Sequence, residues 1–87
     1  MSEDCEEIEK EITNKINWIV EQAEHIGIMK QTMEKIKMDT RLTEEQKQHW
    51  IDAYQVNIEE RKGNIEGNKR LIQDQLHHLR RCALKKK

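Results

Sequence analysis

The sequence predicts an all-α protein, a long antiparallel helical hairpin in the form of a two-helix coiled coil. Three observations lead to this fold class: two apolar stripes at helical spacing, a helix-start motif between them, and no alternating run typical of a strand. We expect a single domain over 1–87, with a helix over about 3–38, a loop over about 39–42, a helix over about 43–83 and a basic tail over 84–87.

The first apolar stripe lies on one face of the predicted first helix. Its members follow one another at intervals of three or four residues: Cys5, Ile8, Ile12, Ile16, Ile19, Ala23, Ile26, Met29, Met33 and Ile36. Positions 5, 12, 19, 26 and 33 of this stripe are seven residues apart, which is the period of a left-handed supercoil. This stripe therefore predicts a partner helix along the whole of the first helix.

The second stripe follows the same period but is thinner in its middle. Its repeating members are Ile51, Ile58, Ile65, Ile72 and Leu79. Between positions 59 and 70, Ile65 is the only apolar side chain. The second helix is therefore expected to offer fewer apolar contacts at its centre than the first.

A capping motif and the two stripes agree on one register. The segment Thr43-Glu44-Glu45-Gln46 fits a T-x-x-Q capping box, which starts a helix at 43 or 44. If the chain turns there, residues whose numbers sum to about 87 should face each other. Ile36 then faces Ile51, Cys5 faces Cys82, and the acidic start lies beside the basic end.

Two other architectures fit the pattern. Gly63 and Gly67 each cost about 1 kcal/mol inside a helix, so a break near Gly63 would give a three-helix bundle. Alternatively, one continuous helix could pair antiparallel with a second copy, and every facing pair would then form between chains.

The apolar surface exceeds what two helices can bury, which predicts an interface. We expect the hairpin to assemble into a four-helix bundle with itself, as a homodimer, or with another helical protein. The predicted partner interface consists of Ile12, Ile16, Trp18, Ile19, Val20, Ala23, Ile26, Leu71, Ile72, Leu76 and Leu79. The predicted function is that of a non-catalytic protein-protein interaction module, a small adaptor or assembly subunit. A wet intramolecular core, with Trp18 lying flat on the surface, is the other interpretation.

The two cysteines allow three interpretations. Reduced, partly buried thiols are the default for a cytosolic or nuclear chain. The register also brings Cys5 and Cys82 within disulfide reach, and a bond closing so long a loop would stabilise the fold by about 4–5 kcal/mol. A zinc site would need His77 or His78 to join them; no C-x-x-C pair and no clear fourth ligand are present, so we predict no metal and no other cofactor.

The alternative function is a small nucleic-acid-associated protein that uses a basic C-terminal helix end. The candidate phosphate contacts are Arg80, Arg81, Lys85, Lys86 and Lys87. The net charge is only −1, and no aromatic residues are interleaved for base stacking, so this function ranks second.

Enzyme activity and membrane association are not expected. The only serine is Ser2, and Gly27, Gly63 and Gly67 form no phosphate-binding motif, so we predict no catalytic residue. The first ten residues are acidic and lack the apolar core of a secretory signal, and no apolar run approaches about 18 residues. We therefore expect a cytoplasmic or nuclear protein.

Overall fold

The computed structural model describes residues 5–85 and consists of two long helices. Helix α1 comprises Cys5–Met38 and helix α2 comprises Glu44–Lys85. The helices lie antiparallel in a rod that measures 66 × 16 × 15 Å. The predicted all-α helical hairpin is confirmed, whereas its assembly into a four-helix bundle stays a prediction.

The helix ends differ slightly from the predicted ones. The expected start of α1 near residue 3 falls within residues 1–4, outside the described part of the chain. Helix α2 begins at Glu44 and runs to Lys85, so Leu84 and Lys85 are helical although a tail was expected there. Lys86 and Lys87, the rest of the predicted tail, lie outside the described residues.

The capping box is present at the start of α2. The Thr43 amide donates to Gln46 Oε1 at 3.0 Å, and the Gln46 amide donates to Thr43 Oγ1 at 3.1 Å. These reciprocal bonds satisfy amides that have no partner inside the helix. Glu44 and Glu45 occupy the first turn, where the helix dipole favours negative charge. The two helices are therefore separated by a loop of residues 39–43.

One side chain orders the loop from within, and another joins α2 to the end of α1. Arg41 donates to Asp39 through its backbone amide at 2.9 Å and through Nε and Nη2 at 3.1 Å each. The side-chain bonds from Arg41, and then its backbone amide, hold the pKa of Asp39 below its usual value. Lys47 Nζ donates to the Lys37 carbonyl at 3.1 Å, which occupies one of the free carbonyls at the end of α1.

Helix α2 continues through both glycines. Neither Gly63 nor Gly67 adopts a positive φ, and both lie inside the span of α2. The predicted alternative of a three-helix bundle is therefore wrong, because Arg61, Ile65 and Asn68 keep facing α1 across this segment. The alternative of a continuous single helix is also wrong, since the chain reverses direction between the two helices.

The contact line between the helices follows strictly alternating steps of three and four residues. We call this line the seam. In α1 its buried or half-buried residues are Cys5, Ile8, Ile12, Lys15, Ile19, Gln22, Ile26, Met29, Met33 and Ile36. In α2 they are Lys47, Ile51, Tyr54, Ile58, Arg61, Ile65, Asn68, Ile72, Gln75, Leu79 and Cys82. The disulfide between Cys5 and Cys82 confirms the predicted register at one end.

Lys15 and Gln22 occupy seam positions that the sequence assigned to Ile16 and Ala23. Both Ile16 and Ala23 are exposed, whereas Lys15 and Gln22 are half-buried. Consecutive residues of an α-helix point about 100° apart. Only one residue of each adjacent pair, Lys15 or Ile16 and Gln22 or Ala23, can therefore face the seam. The long stems of Lys15 and Gln22 can cover apolar surface while their polar ends reach water.

The seam has two halves of different composition. The loop half, residues 26–65, contains a buried cluster formed by Ile26, Met29, Met33 and Ile58, against which Ile51, Tyr54 and Ile65 pack. The open half comprises residues 5–25 and 66–85, and its seam includes four polar side chains, Lys15, Gln22, Asn68 and Gln75, whereas the loop half has the charged seam residues Lys47 and Arg61 beside its buried cluster. The apolar core is therefore concentrated near the loop.

Candidate interaction surface

Large apolar side chains remain exposed along the rod. Those that retain about half or more of their accessible surface are Ile16, Val20, Ile28, Met38, Trp50, Val56, Leu71, Leu76 and Leu84. A pair of helices can cover only the stripe where the two meet, so these side chains have no partner element within residues 5–85. Scattered exposed side chains are normal, so their arrangement decides whether they form a site.

On one side of the rod, two of them, Ile16 and Val20, continue into two small exposed residues to form one row. Ile16, Val20, Ala23 and Gly27 follow one another at steps of four, three and four residues, and all are exposed. Glu9 precedes Ile16 by seven residues and therefore lies on the same side, where it lines a groove with Leu76 and Ala83 of α2. We call this side the Ile16 flank; its residues are Glu9, Ile16, Val20, Ala23, Gly27, Lys62, Lys69, Leu76 and Ala83.

The α2 part of the Ile16 flank is charged where it runs beside the apolar row. Lys62 and Lys69 precede Leu76 at intervals of seven residues. Each lysine forms an ion pair with the glutamate three residues before it, Lys62 with Glu59 at 3.7 Å and Lys69 with Glu66 at 3.3 Å. Exposed pairs of this kind contribute little to stability. They place a polar rim beside an apolar strip, the arrangement found at protein interfaces.

Trp18 lies on the opposite side of the rod. It lines a groove with Glu11, Asn14, Lys15 and Asn68. On the same side Arg61 Nε donates to Asn57 Oδ1 at 2.8 Å, and Arg61 Nη1 lies 3.4 Å from His25 Nδ1. Leu71 follows Asn57 by fourteen residues and so shares its face of α2. We call this side the Trp18 flank, defined by Glu11, Trp18, His25, Asn57 and Leu71.

The structure divides the predicted partner interface among three locations. Ile12 and Ile26 are 7% and 8% exposed and lie in the seam, so their assignment to a partner-facing surface is corrected. Ile19, Ile72 and Leu79 are half-buried seam residues. Ile16, Val20, Ala23 and Leu76 lie on the Ile16 flank, and Trp18 and Leu71 lie on the Trp18 flank. The physical reason is that side chains that recur every seven residues pack against the facing helix in the seam, so they are not available to a partner.

The sequence did not single out several members of these surfaces. Gly27 extends the apolar row of the Ile16 flank, and a Cβ built on it would meet nothing within 4 Å. Lys62 and Lys69 form the polar rim of that flank. Their seven-residue spacing to Leu76 was a usable signal once the register was known.

The open end is closed by a disulfide. Cys5 and Cys82 are bonded, with their Cα atoms 6.0 Å apart. The default interpretation of reduced thiols is therefore wrong, although the register that brings the two together is the predicted one. Both sulfurs are engaged with each other, and no group of three or more His, Cys, Asp or Glu side chains within residues 5–85 is arranged to hold a metal ion.

Polar groups in the open half and at its boundary with the loop half are incompletely paired. Arg61 Nη1 donates to Gln22 Oε1, and Gln75 Nε2 donates to Glu11 Oε2. Gln75 Oε1 is buried without a hydrogen-bond partner among the described residues. A buried polar atom left in this state costs about 1–3 kcal/mol. The seam near Gln75 is therefore a weak point of the hairpin.

The basic end of α2 lies beside acidic residues. Arg80, Arg81 and Lys85 are exposed on the last turns of α2. The disulfide places this segment alongside the first turns of α1, which carry Glu6 and Glu7. The predicted contacts Lys86 and Lys87 lie outside the described residues. The neighbouring carboxylates reduce the positive potential that phosphate would meet.

No helix within residues 5–85 has the length and apolarity required to cross a bilayer. Comparison with known proteins finds no family model, no curated protein and no solved structure that matches this chain. Inference about function therefore starts from the surfaces described above.

Proposed function

We propose that this chain is a non-catalytic protein-protein interaction module, a small adaptor or assembly subunit that docks other helices against its Ile16 flank. The observation that carries this proposal is the row Ile16, Val20, Ala23 and Gly27, whose four members are all exposed on a rod only two helices thick. Ile16 and Val20 are 47% and 50% exposed in the hairpin. Covering the exposed half of each would contribute roughly 1 kcal/mol per side chain.

Small residues in this row favour a helical partner. Ala23 and Gly27 follow the larger Ile16 and Val20 along the row, and a Cβ at Gly27 would have no neighbour within 4 Å. A second helix can therefore approach the backbone of α1 closely while its own side chains pack beside Ile16 and Val20. The ion pairs of Lys62 and Lys69 would then border the contact.

A second copy of the chain is the expected partner, and another helical protein is the alternative. Two-fold self-association is the commonest route to a closed assembly of soluble proteins. Two hairpins joined through their Ile16 flanks would form a four-helix bundle. Each copy would cover the same row of the other, so no apolar edge would remain open on this side.

Light scattering over a range of concentrations tests this proposal with one double variant. Ile16→Glu/Val20→Glu places two carboxylates on the flank without touching the seam, so we expect an assembled wild-type chain and a monomeric, equally helical variant. Asn17→Glu is the matched control, because Asn17 lies between the two on the outer face of α1 and is exposed. A monomeric wild-type chain, or a double variant with wild-type mass, would contradict self-association through this flank.

Nucleic-acid association through the basic end of α2 stays a second prediction. The exposed Arg80, Arg81 and Lys85 support it, and the adjacent Glu6 and Glu7 count against it. Its test is binding of a labelled duplex at low and moderate salt, compared with an Arg80→Gln/Arg81→Gln variant. Phosphate contacts would give a steep loss of affinity with salt that the variant reduces.

The absence of enzyme activity and the cytoplasmic or nuclear location also stay predictions. The disulfide counts against the location, because such bonds are rare in those reducing compartments. Trapping of free thiols in intact cells, followed by mass measurement, would show whether Cys5 and Cys82 are joined there.

A further inference from the structure

We propose that the Cys5–Cys82 disulfide is a redox latch: it holds the open half of the hairpin closed, and its reduction by a dithiol releases that half while the loop half stays paired. This inference does not depend on the partner proposed for the Ile16 flank. It follows from the position of the bond and from the unequal composition of the two halves of the seam.

The loop half has its own core and its own closure. Ile26, Met29, Met33 and Ile58 form one buried cluster, with Ile51, Tyr54 and Ile65 packed against it. The short loop and the Thr43 capping box join the two helices directly beside this cluster. Nothing in this half depends on a contact made near Cys5.

The open half lacks a comparable core. In the register that the disulfide fixes, three facing pairs of this half join an apolar side chain to a polar one: Ile12 with Gln75, Lys15 with Ile72, and Ile19 with Asn68. Gln75 Oε1 is buried without a partner in the described chain. The remaining pair, Ile8 with Leu79, lies next to the disulfide. Contacts within this half are therefore the ones that open first.

The disulfide lies where fraying would begin. Cys5 is the first residue of α1, and Cys82 lies in the last turn of α2, at the end of the rod opposite the loop. Helix pairs open from their ends, where each residue has neighbours on one side only. A covalent bond at this point suppresses opening of the polar seam behind it.

The bond is placed where a small dithiol can reach it. Cys5 lines an open groove of about 900 Å³ together with Glu9, Leu76 and Arg80. A thiolate of the dithiol attacks one sulfur and forms a mixed disulfide, and its second thiolate then displaces the remaining cysteine. Two electrons and two protons pass to Cys5 and Cys82, which become thiols, while the dithiol becomes a disulfide.

Opening would expose a second apolar surface. Ile8 and Ile12 are each 7% exposed in the closed hairpin, and Leu79 and Ile72 are half-buried along the facing helix. Release of the open half frees these side chains together on two separate helical arms. The oxidised chain therefore presents its flanks, whereas the reduced chain also presents part of its seam.

Hydrogen exchange followed by mass spectrometry tests the latch on the full chain, with dithiothreitol as the dithiol. On reduction we expect amide protection to fall by at least about tenfold in peptides from 6–20 and 68–82, and by less than about twofold in 27–36 and 51–60. The Cys5→Ser/Cys82→Ser variant should show the reduced pattern with and without dithiothreitol. Unchanged protection in the open half, or an equal loss in both halves, would overturn the proposal.

A second variant separates the latch from a general loss of stability. Adding Asn68→Leu and Gln75→Leu to Cys5→Ser/Cys82→Ser replaces the polar seam by apolar contacts, so the open half should regain at least about tenfold protection without the bond. If this variant stays as open as its parent, the polar seam is not the reason for the opening and the latch mechanism is wrong.

Discussion

Cys5 and Cys82 are separated by 77 positions in sequence, and their Cα atoms lie 6.0 Å apart at the open end of the hairpin. Their bond fixes the register in which α1 and α2 face each other. It also joins the acidic start of α1 to the basic end of α2. The stability of the hairpin is therefore tied to one covalent contact at the point farthest from its loop.

Removal of this bond should lower the free energy of unfolding substantially. For a loop of this length, the entropy model gives about 4–5 kcal/mol between the oxidised chain and the Cys5→Ser/Cys82→Ser variant. Urea denaturation followed by circular dichroism measures the difference. We also expect a smaller denaturant dependence for the variant, because its native state already exposes part of the open half. Identical curves for the two proteins would show that the bond contributes nothing.

Replacement of Gln75 by an apolar residue should stabilise the hairpin. Its Oε1 atom is buried without a partner among residues 5–85, so Gln75→Leu in the oxidised chain should raise the free energy of unfolding by about 1–3 kcal/mol. Gln73→Leu is the control, because Gln73 is exposed beside it and the same change there should have little effect. A loss of stability in Gln75→Leu would mean that its bond to Glu11 outweighs the unpaired oxygen.

The glycines of α2 should be replaceable without strain. A Cβ at Gly63 or Gly67 would meet nothing within 4 Å, and neither residue has a positive φ. Gly63→Ala and Gly67→Ala should therefore each stabilise the chain by about 1 kcal/mol, since alanine is the better helix former. Thermal melts of the monomeric Ile16→Glu/Val20→Glu background keep assembly out of this measurement. A drop in melting temperature there would argue against a continuous α2.

The capping box of α2 should act as a coupled pair. Thr43→Ala removes the acceptor for the Gln46 amide and should cost about 1 kcal/mol. Gln46→Ala removes the return bond to the Thr43 amide. In a double-mutant cycle the two losses should be less than additive, because either change disrupts the same reciprocal arrangement. Thr40→Ala is a control within the loop, and strict additivity of the pair would show that the two bonds act separately.

The sequence was sufficient to predict the architecture because features at its two ends and at its loop indicate the same register. The seven-residue period of Ile51 to Leu79, the T-x-x-Q motif and the pairing of Cys5 with Cys82 all require the same register. The capping bonds of Thr43 and Gln46 form as predicted. Continuity of α2 through Gly63 could not be decided from propensity alone, since a glycine costs only about 1 kcal/mol in a helix and Arg61, Ile65 and Asn68 remain half-buried against α1 across this segment.

The candidate surface was only partly predictable. Apolarity alone assigned Ile16 and Ala23 to the seam, whereas strict three-four spacing gives those places to Lys15 and Gln22. The period of the second helix carried that information, because Ile65 and Ile72 must face residues 22 and 15 in the predicted register. The oxidation state of the cysteines was not readable from sequence, since proximity permits a disulfide without requiring one.

Solvent accessibility of two isoleucine methyl groups in the assembled protein tests docking on the Ile16 flank most directly. Ile16 and Ile28 lie on the same helix and are 47% and 61% exposed in the single hairpin. In methyl-labelled protein with a soluble paramagnetic chelate, raising the concentration through assembly should protect Ile16 from relaxation and leave Ile28 fully accessible. Equal accessibility of both in the assembled state, or protection of Ile28 alone, would contradict the proposed interface.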